Sequence, residues 1–147
     1  MSERKEQAIR ELRNYRRRKE SLENIKERIA ILDERLYSVG GQGSFELRIQ
    51  NPSGVFEDPV TAILSEKERL GYSYKANKRL ADLTGRVLAQ MLPEEQRVLE
   101  AFYIDRRQNY LRRLCLELAV EQAQLYRMKD RALTGFIQRM YGFEDEE

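Results

Sequence analysis

From Glu3 to Leu36 the chain contains neither glycine nor proline, and its apolar residues recur at helical spacing: Ile9, Leu12, Tyr15, Leu22, Ile25, Ile29, Leu32 and Leu36. Steps of three and four residues, with one step of seven across Lys19, trace a heptad seam. Good helix formers fill the remaining faces. The pattern predicts one long helix. A helix with a single apolar stripe has to bury it against another element, so a second stripe is required.

The sequence supplies one. Gly40-Gly41-Gln42-Gly43 closes the first helix, because glycine readily takes the left-handed conformation of a helix end. Residues 40–59 hold four of the eight glycines and two of the three prolines, which predicts a loop. Within it Phe45-Glu46-Leu47-Arg48-Ile49 alternates with period two, but no second segment offers it a strand partner. A second long helix is expected from Asp58-Pro59, an acidic cap before a first-turn proline, to about Met91. Its seam reads Val60, Ile63, Leu64, Leu70, Tyr74, Leu80, Leu83, Val87, Leu88 and Met91, weakened by Gly71, Asn77 and Gly85. Asn77 either sets the register of the seam or faces water. An antiparallel hairpin with Leu22, Ile25, Ile29, Leu70, Leu80 and Leu83 in its core buries both stripes most simply. Self-association through the same stripes is the alternative.

Beyond Leu92 the long seams give way to short helices. Leu92-Pro93-Glu94-Glu95-Gln96 opens the first, with proline in the first turn and acids placed against the helix dipole. Val98, Leu99, Phe102, Tyr103 and Ile104 are its apolar positions, and residues 105–109 form a polar break. A second short helix carries Leu111, Leu114, Cys115 and Leu118. Ala119-Val120-Glu121 makes a turn, and a third helix runs from about Gln122 to Tyr141. Two short amphipathic helices joined by a three-residue turn predict a helix-turn-helix, with Val120 and Leu125 buried between its helices. Leu125, Met128, Ala132, Leu133, Phe136, Ile137 and Met140 mark the buried stripe of the last helix. Gln122, Gln124, Tyr126, Arg127, Asp130 and Arg131 are read as its opposite face. Of these, Gln122, Gln124, Tyr126, Arg127 and Arg131 are candidates to contact DNA in the major groove. Arg112 and Arg113 lie on the helix that crosses the phosphate backbone in this motif and are the other candidates.

The stretches Leu92–Ile104, Leu111–Val120 and Gln124–Leu133 resemble region 4 of bacterial sigma factors over about 50 residues. There a Leu-Pro-rich opening helix precedes a helix-turn-helix that ends in an Arg-Ala-Leu stretch. A basic coiled-coil helix, a Gly-rich loop, a second long helix and this C-terminal end together resemble phage and prophage transcriptional regulators of the ArpU and RinA type. Ala119 departs from the family's usual Gly at the turn. Glu121 stands where Ser or Thr normally caps the recognition helix, and its charge opposes phosphate. The resemblance implies an all-α fold: a long antiparallel helical hairpin (residues 1–91), a three-helix sigma-region-4-like module (92–142) and an acidic tail (143–147). It implies sequence-specific binding of double-stranded DNA, in the control of phage or prophage genes, as an activator. The long helices would serve homodimerisation or contact with RNA polymerase.

Composition narrows the remaining classes. With 41% hydrophobic and 35% charged residues the chain suits solvent-exposed helices, and its apolar share is too high for disorder. The absence of His excludes a Ser/His triad, and Gly40–Gly43 lacks the Lys-Ser/Thr and preceding strand of a phosphate-binding loop. No enzyme activity, cofactor or metal is expected. Cys115 reads as a small buried hydrophobe. No apolar run approaches a bilayer span and no signal peptide opens the chain, so a cytoplasmic protein without membrane or small-molecule partners is expected. Net charge is only +2, but Arg10, Arg13, Arg16, Arg17, Arg18 and Lys19 cluster with one opposing acid, Glu11. That run either contacts nucleic acid or is a solvated coiled-coil surface. Two rival functions remain: a phage small terminase-type packaging subunit, and a polymerase-binding adaptor that does not touch DNA.

Overall fold

The N-terminal run folds as one unbroken helix, α1, spanning Glu3–Val39. The computed structural model describes residues 2–39 and 58–143. Most of the expected loop, residues 40–57 with Phe45–Ile49, lies outside them, as does the acidic tail from residue 144. The chain is all-α among the described residues: two long helices followed by three shorter ones. Helix α2 spans Pro59–Ala89. Asp58 caps it, its carboxylate accepting the Val60 N–H at 3.1 Å. Helices α3 (Pro93–Leu99), α4 (Tyr110–Leu118) and α5 (Gln122–Tyr141) follow. A π-helical turn, Glu100–Ile104, extends α3 and is closed by the Asp105 N–H donating five residues back to the Glu100 carbonyl at 2.8 Å. A side-chain pattern carries no mark of a single π turn, and the sequence did not predict it.

Two compact units form, residues 20–78 and residues 1–19 with 79–147. The boundary expected at residue 91 therefore falls inside packed structure. In the first unit α1 and α2 run antiparallel, Lys26 standing over the Tyr74 ring and Asp33 pairing with Lys67. Leu32, Ile63 and Leu70 are buried there, with Ile25, Ile29, Leu36 and Val39 packed on them. Asn77 turns neither to a partner helix nor to bulk water alone: its amide donates to the Ser73 carbonyl at 2.8 Å, within its own helix.

In the second unit the first turns of α1 and the last turns of α2 share a core with α5. Ala8, Leu12, Val87, Leu88, Met91, Leu99, Ala132, Leu133 and Phe136 are buried together. Here the expected seam needs correction. Leu83 is 38% exposed, whereas Ala81 and Thr84 are buried. The buried face of α2 runs through Ala81, Thr84 and Leu88 and on to Met91 just past the helix end, and Leu83 lies one residue off it. Small side chains occupy the closest approach, where the Tyr15 hydroxyl lies against Gly85. A search for large apolar residues passes over such positions. Leu64, also assigned to the seam, is 49% exposed.

The step of seven between Tyr15 and Leu22 has a physical cause. Arg18 continues the three-four rhythm of the seam, and its guanidinium lies 3.3 Å from the carboxylate of Glu11, two turns back, with both side chains largely buried. A charge withdrawn from water in this way is held by its pairing, and removal of the Arg18 guanidinium would leave the buried Glu11 carboxylate without that partner.

Candidate nucleic-acid interface

The junction between α4 and α5 determines which side chains reach solvent. Helix α4 begins after Asn109 and ends at Ala119, both in the left-handed region, at φ 59° and 55°. The Val120 N–H donates back to the Cys115 carbonyl at 3.1 Å and closes α4. Glu121 is extended, and its carbonyl accepts the Leu125 N–H at 2.9 Å to start α5; its side chain makes no capping bond. Leu125 is fully buried with Val98, Ala101, Phe102 and Leu114, while Val120, Cys115 and Met128 are half-buried against that cluster. The three-residue turn is thus in place and Leu125 is buried as expected, whereas Val120, expected to be buried as well, is only half-buried.

A left-handed alanine is strained by roughly 1–2 kcal/mol, whereas glycine adopts the same conformation freely at some cost in unfolded-chain entropy. Ala119→Gly is therefore expected to stabilise the protein by about 1 kcal/mol, a rise of about 2–4 °C in Tm. A thermal melt in which Ala119→Gly unfolds below the parent would contradict the strain.

The seven candidate contact residues are all exposed, but they do not share one face. Gln124, Arg127 and Arg131 follow at steps of three and four along α5 and line up. At about 100° per residue, Gln122 lies about 140° around the axis from Arg127. It joins Arg112 instead, in a groove with Tyr110, Leu111, Cys115 and Leu116. Arg113 opens toward a different groove, beside Arg97, Glu100 and Asp105. Tyr126 does not project freely: its ring packs edge-on against Phe102 of the π turn, centroids 5.9 Å apart, and it is only 38% exposed. Arg131 shares a groove with Glu94 and Glu95 of α3.

Two basic residues near this face were not singled out from the sequence. Lys129 takes a position on the buried stripe, four residues after Leu125 and four before Leu133, and its ammonium stands 5.9 Å from the Phe102 ring centre and 5.8 Å from that of Tyr126. Burial, the largest single influence, works against its charge, but the 2.7 Å bond to Asp130 together with the fields of Tyr103, Asp130 and Tyr126 outweighs it and raises its pKa above the ordinary lysine value. The one legible signal was a lysine interrupting an apolar stripe. Arg106, in the break before α4, lays its guanidinium over the Tyr110 ring, 4.4 Å from the centroid. Ion pairs fasten the surrounding elements: Arg16 of α1 to Asp105 at 3.0 Å, and Arg97 of α3 to Glu117 of α4 at 2.8 Å.

Among the described residues no group of three or more His, Cys, Asp or Glu side chains could hold a metal ion. No helix among them is long and apolar enough to cross a membrane. No family model matches the chain, and neither a curated protein nor a solved structure matches it.

Proposed function

We propose that this chain binds double-stranded DNA sequence-specifically through α4 and α5 and acts in transcriptional control, as an activator of phage or prophage genes. The observation that carries this reading is the α4–α5 junction. A left-handed residue at 119, a three-residue turn and Leu125 locked between the helices leave Gln124, Arg127 and Arg131 in solvent on the leading helix. A helix presented in this way fits a major groove, with its first turns nearest the base edges. The resemblance of residues 92–133 to sigma region 4, and of the chain's layout to ArpU- and RinA-type regulators, supports the same reading. Its partners are double-stranded DNA, RNA polymerase in the activator role, and a second copy of the chain through the long helices. Its place is the cytoplasm.

The test is enrichment of duplexes from a random-sequence DNA library by the full chain, followed by titration of the enriched duplex and a scrambled one at several salt concentrations. One enriched motif is expected, bound more tightly than its scrambled version, with affinity falling steeply as salt rises. Absence of any enriched motif overturns the reading. A ring of many subunits in solution replaces it with a packaging subunit. Binding to RNA polymerase without binding to DNA replaces it with an adaptor.

A further inference from the structure

The basic run of α1 does not stand apart from the helix-turn-helix. Residues 1–19 belong to the same compact unit as residues 79–147. Ala8 and Leu12 are completely buried in the core that also holds Leu133 and Phe136 of α5. The side of α1 opposite that core is therefore carried on the same packed unit as α5.

That outer side has an unusual charge. Between residues 10 and 19 the one acid is Glu11, and it is turned inward, buried and paired with Arg18. Arg10, Arg13, Arg16, Arg17 and Lys19 are all exposed, with no carboxylate of their own segment among them. Arg10, Arg13 and Arg17 follow at steps of three and four and so form one row. A neighbouring arginine outside the row ties α1 to the corner before α4. Arg16 bonds Asp105 at 3.0 Å, which also takes the guanidinium of Arg107 at 3.0 Å, and Arg106 lies between those two residues in sequence. Tyr103 registers the convergence. Burial raises its pKa and Asp130 adds to the rise, while Lys129, Arg13 and Arg106 all act on it in the opposite sense. Cations from α1, from the 105–107 corner and from α5 thus all lie near enough to act on one phenol.

Resting on the DNA-binding reading above, we propose that Arg13 and Arg17, continued by Arg106, form a second contact strip that grips the DNA phosphate backbone beside the groove entered by α5. Every exposed position between residues 10 and 19 is cationic, and the exposed acids Glu6 and Glu20 stand at the two ends of the row. None of the large exposed apolar side chains among the described residues lies in residues 2–19, so the apolar centre of a protein interface is missing. An anionic membrane would engage the apolar side of an amphipathic helix, and here that side is buried in the core. A polyanion with closely and regularly spaced charges remains, and duplex DNA presents one along each strand. Such contacts position the protein without reading sequence.

The test uses the full chain with Arg13→Gln and Arg17→Gln combined, and a second variant with both residues changed to Lys. Glutamine keeps helix propensity on an exposed face, and circular dichroism establishes that the fold is retained. Each protein is titrated against the library-enriched duplex and its scrambled version across salt concentrations. The Gln variant is expected to bind both duplexes about tenfold or more weakly, and its slope of log affinity against log salt becomes shallower by nearly two, at about 0.9 for each phosphate no longer neutralised. The ratio between the duplexes stays constant. The Lys variant keeps the parental slope. Wild-type affinity and slope in the Gln variant overturn the strip while leaving the function of α5 standing, as does a loss confined to the enriched duplex. A parent that binds neither duplex overturns the DNA-binding reading itself, and the strip with it.

Discussion

Replacing Leu125 by Asp is expected to abolish the cooperative folding of the unit formed by residues 1–19 and 79–147. Leu125 is completely buried, its neighbours Val98, Ala101, Phe102 and Leu114 are apolar or aromatic, and none offers a partner for a carboxylate. Truncating a buried leucine alone costs about 2–5 kcal/mol. An unpaired buried carboxylate adds several kcal/mol more. Together these approach the whole stability of a small domain, about 5–15 kcal/mol. Leu116 provides the control. It lies on the adjoining helix α4 but is 75% exposed, so Leu116→Asp should melt close to the parent. Thermal unfolding followed by far-ultraviolet circular dichroism measures both. A sharp, parent-like transition in Leu125→Asp would mean that this leucine does not lock α4 to α5, and the helix-turn-helix would lose its peg.

The sequence made the element order legible because each helix carries its own local marks. Asp58-Pro59 opened α2, Pro93 opened α3, and the small residue Ala119 sat where the chain turns. Burial was less legible wherever size and polarity mislead. Leu83 and Leu64 looked like core by hydrophobicity, yet they lie beside the seam, while Ala8, Ala81 and Thr84 fill it because neighbouring helices come closest over small side chains. The missing step of the α1 seam was a charge, Arg18, retained by its pair with Glu11. Of the contact face, the exposure of Gln124, Arg127 and Arg131 followed from helical periodicity alone. The edge-on packing of Tyr126 did not, because it depends on Phe102, carried there by a π turn that leaves no periodic trace. Nor did the convergence of Arg13, Arg106 and Lys129 on Tyr103, since three segments distant in sequence create it.

The second large effect is expected at Arg127. Within the proposed recognition helix only the first two turns after Glu121 come near base edges. Gln122 has turned aside toward Arg112, and Tyr126 is engaged with Phe102, which leaves Gln124 and Arg127 as the forward-facing polar side chains of those turns. Arginine is the residue best suited to grip a guanine edge through two hydrogen bonds, and such a pair supplies roughly 1–3 kcal/mol of discrimination. Arg131 stands one turn further on, past the turns that reach base edges, so a phosphate is the contact left to it, against the opposing charge of Glu94 and Glu95 in its groove. Arg127→Ala should therefore remove most of the preference for the enriched duplex over its scrambled version, leaving weak, salt-sensitive binding to both. Arg131→Ala should weaken both duplexes about equally and make the salt slope shallower by about one. Titrating the two variants in parallel separates reading from holding. Unchanged discrimination in Arg127→Ala would place the base-reading side chain elsewhere on α5, with Gln124 the remaining forward-facing candidate. Discrimination lost in Arg131→Ala instead would move the reading turn toward the middle of the helix, and the pose of α5 in the groove would have to be tilted accordingly.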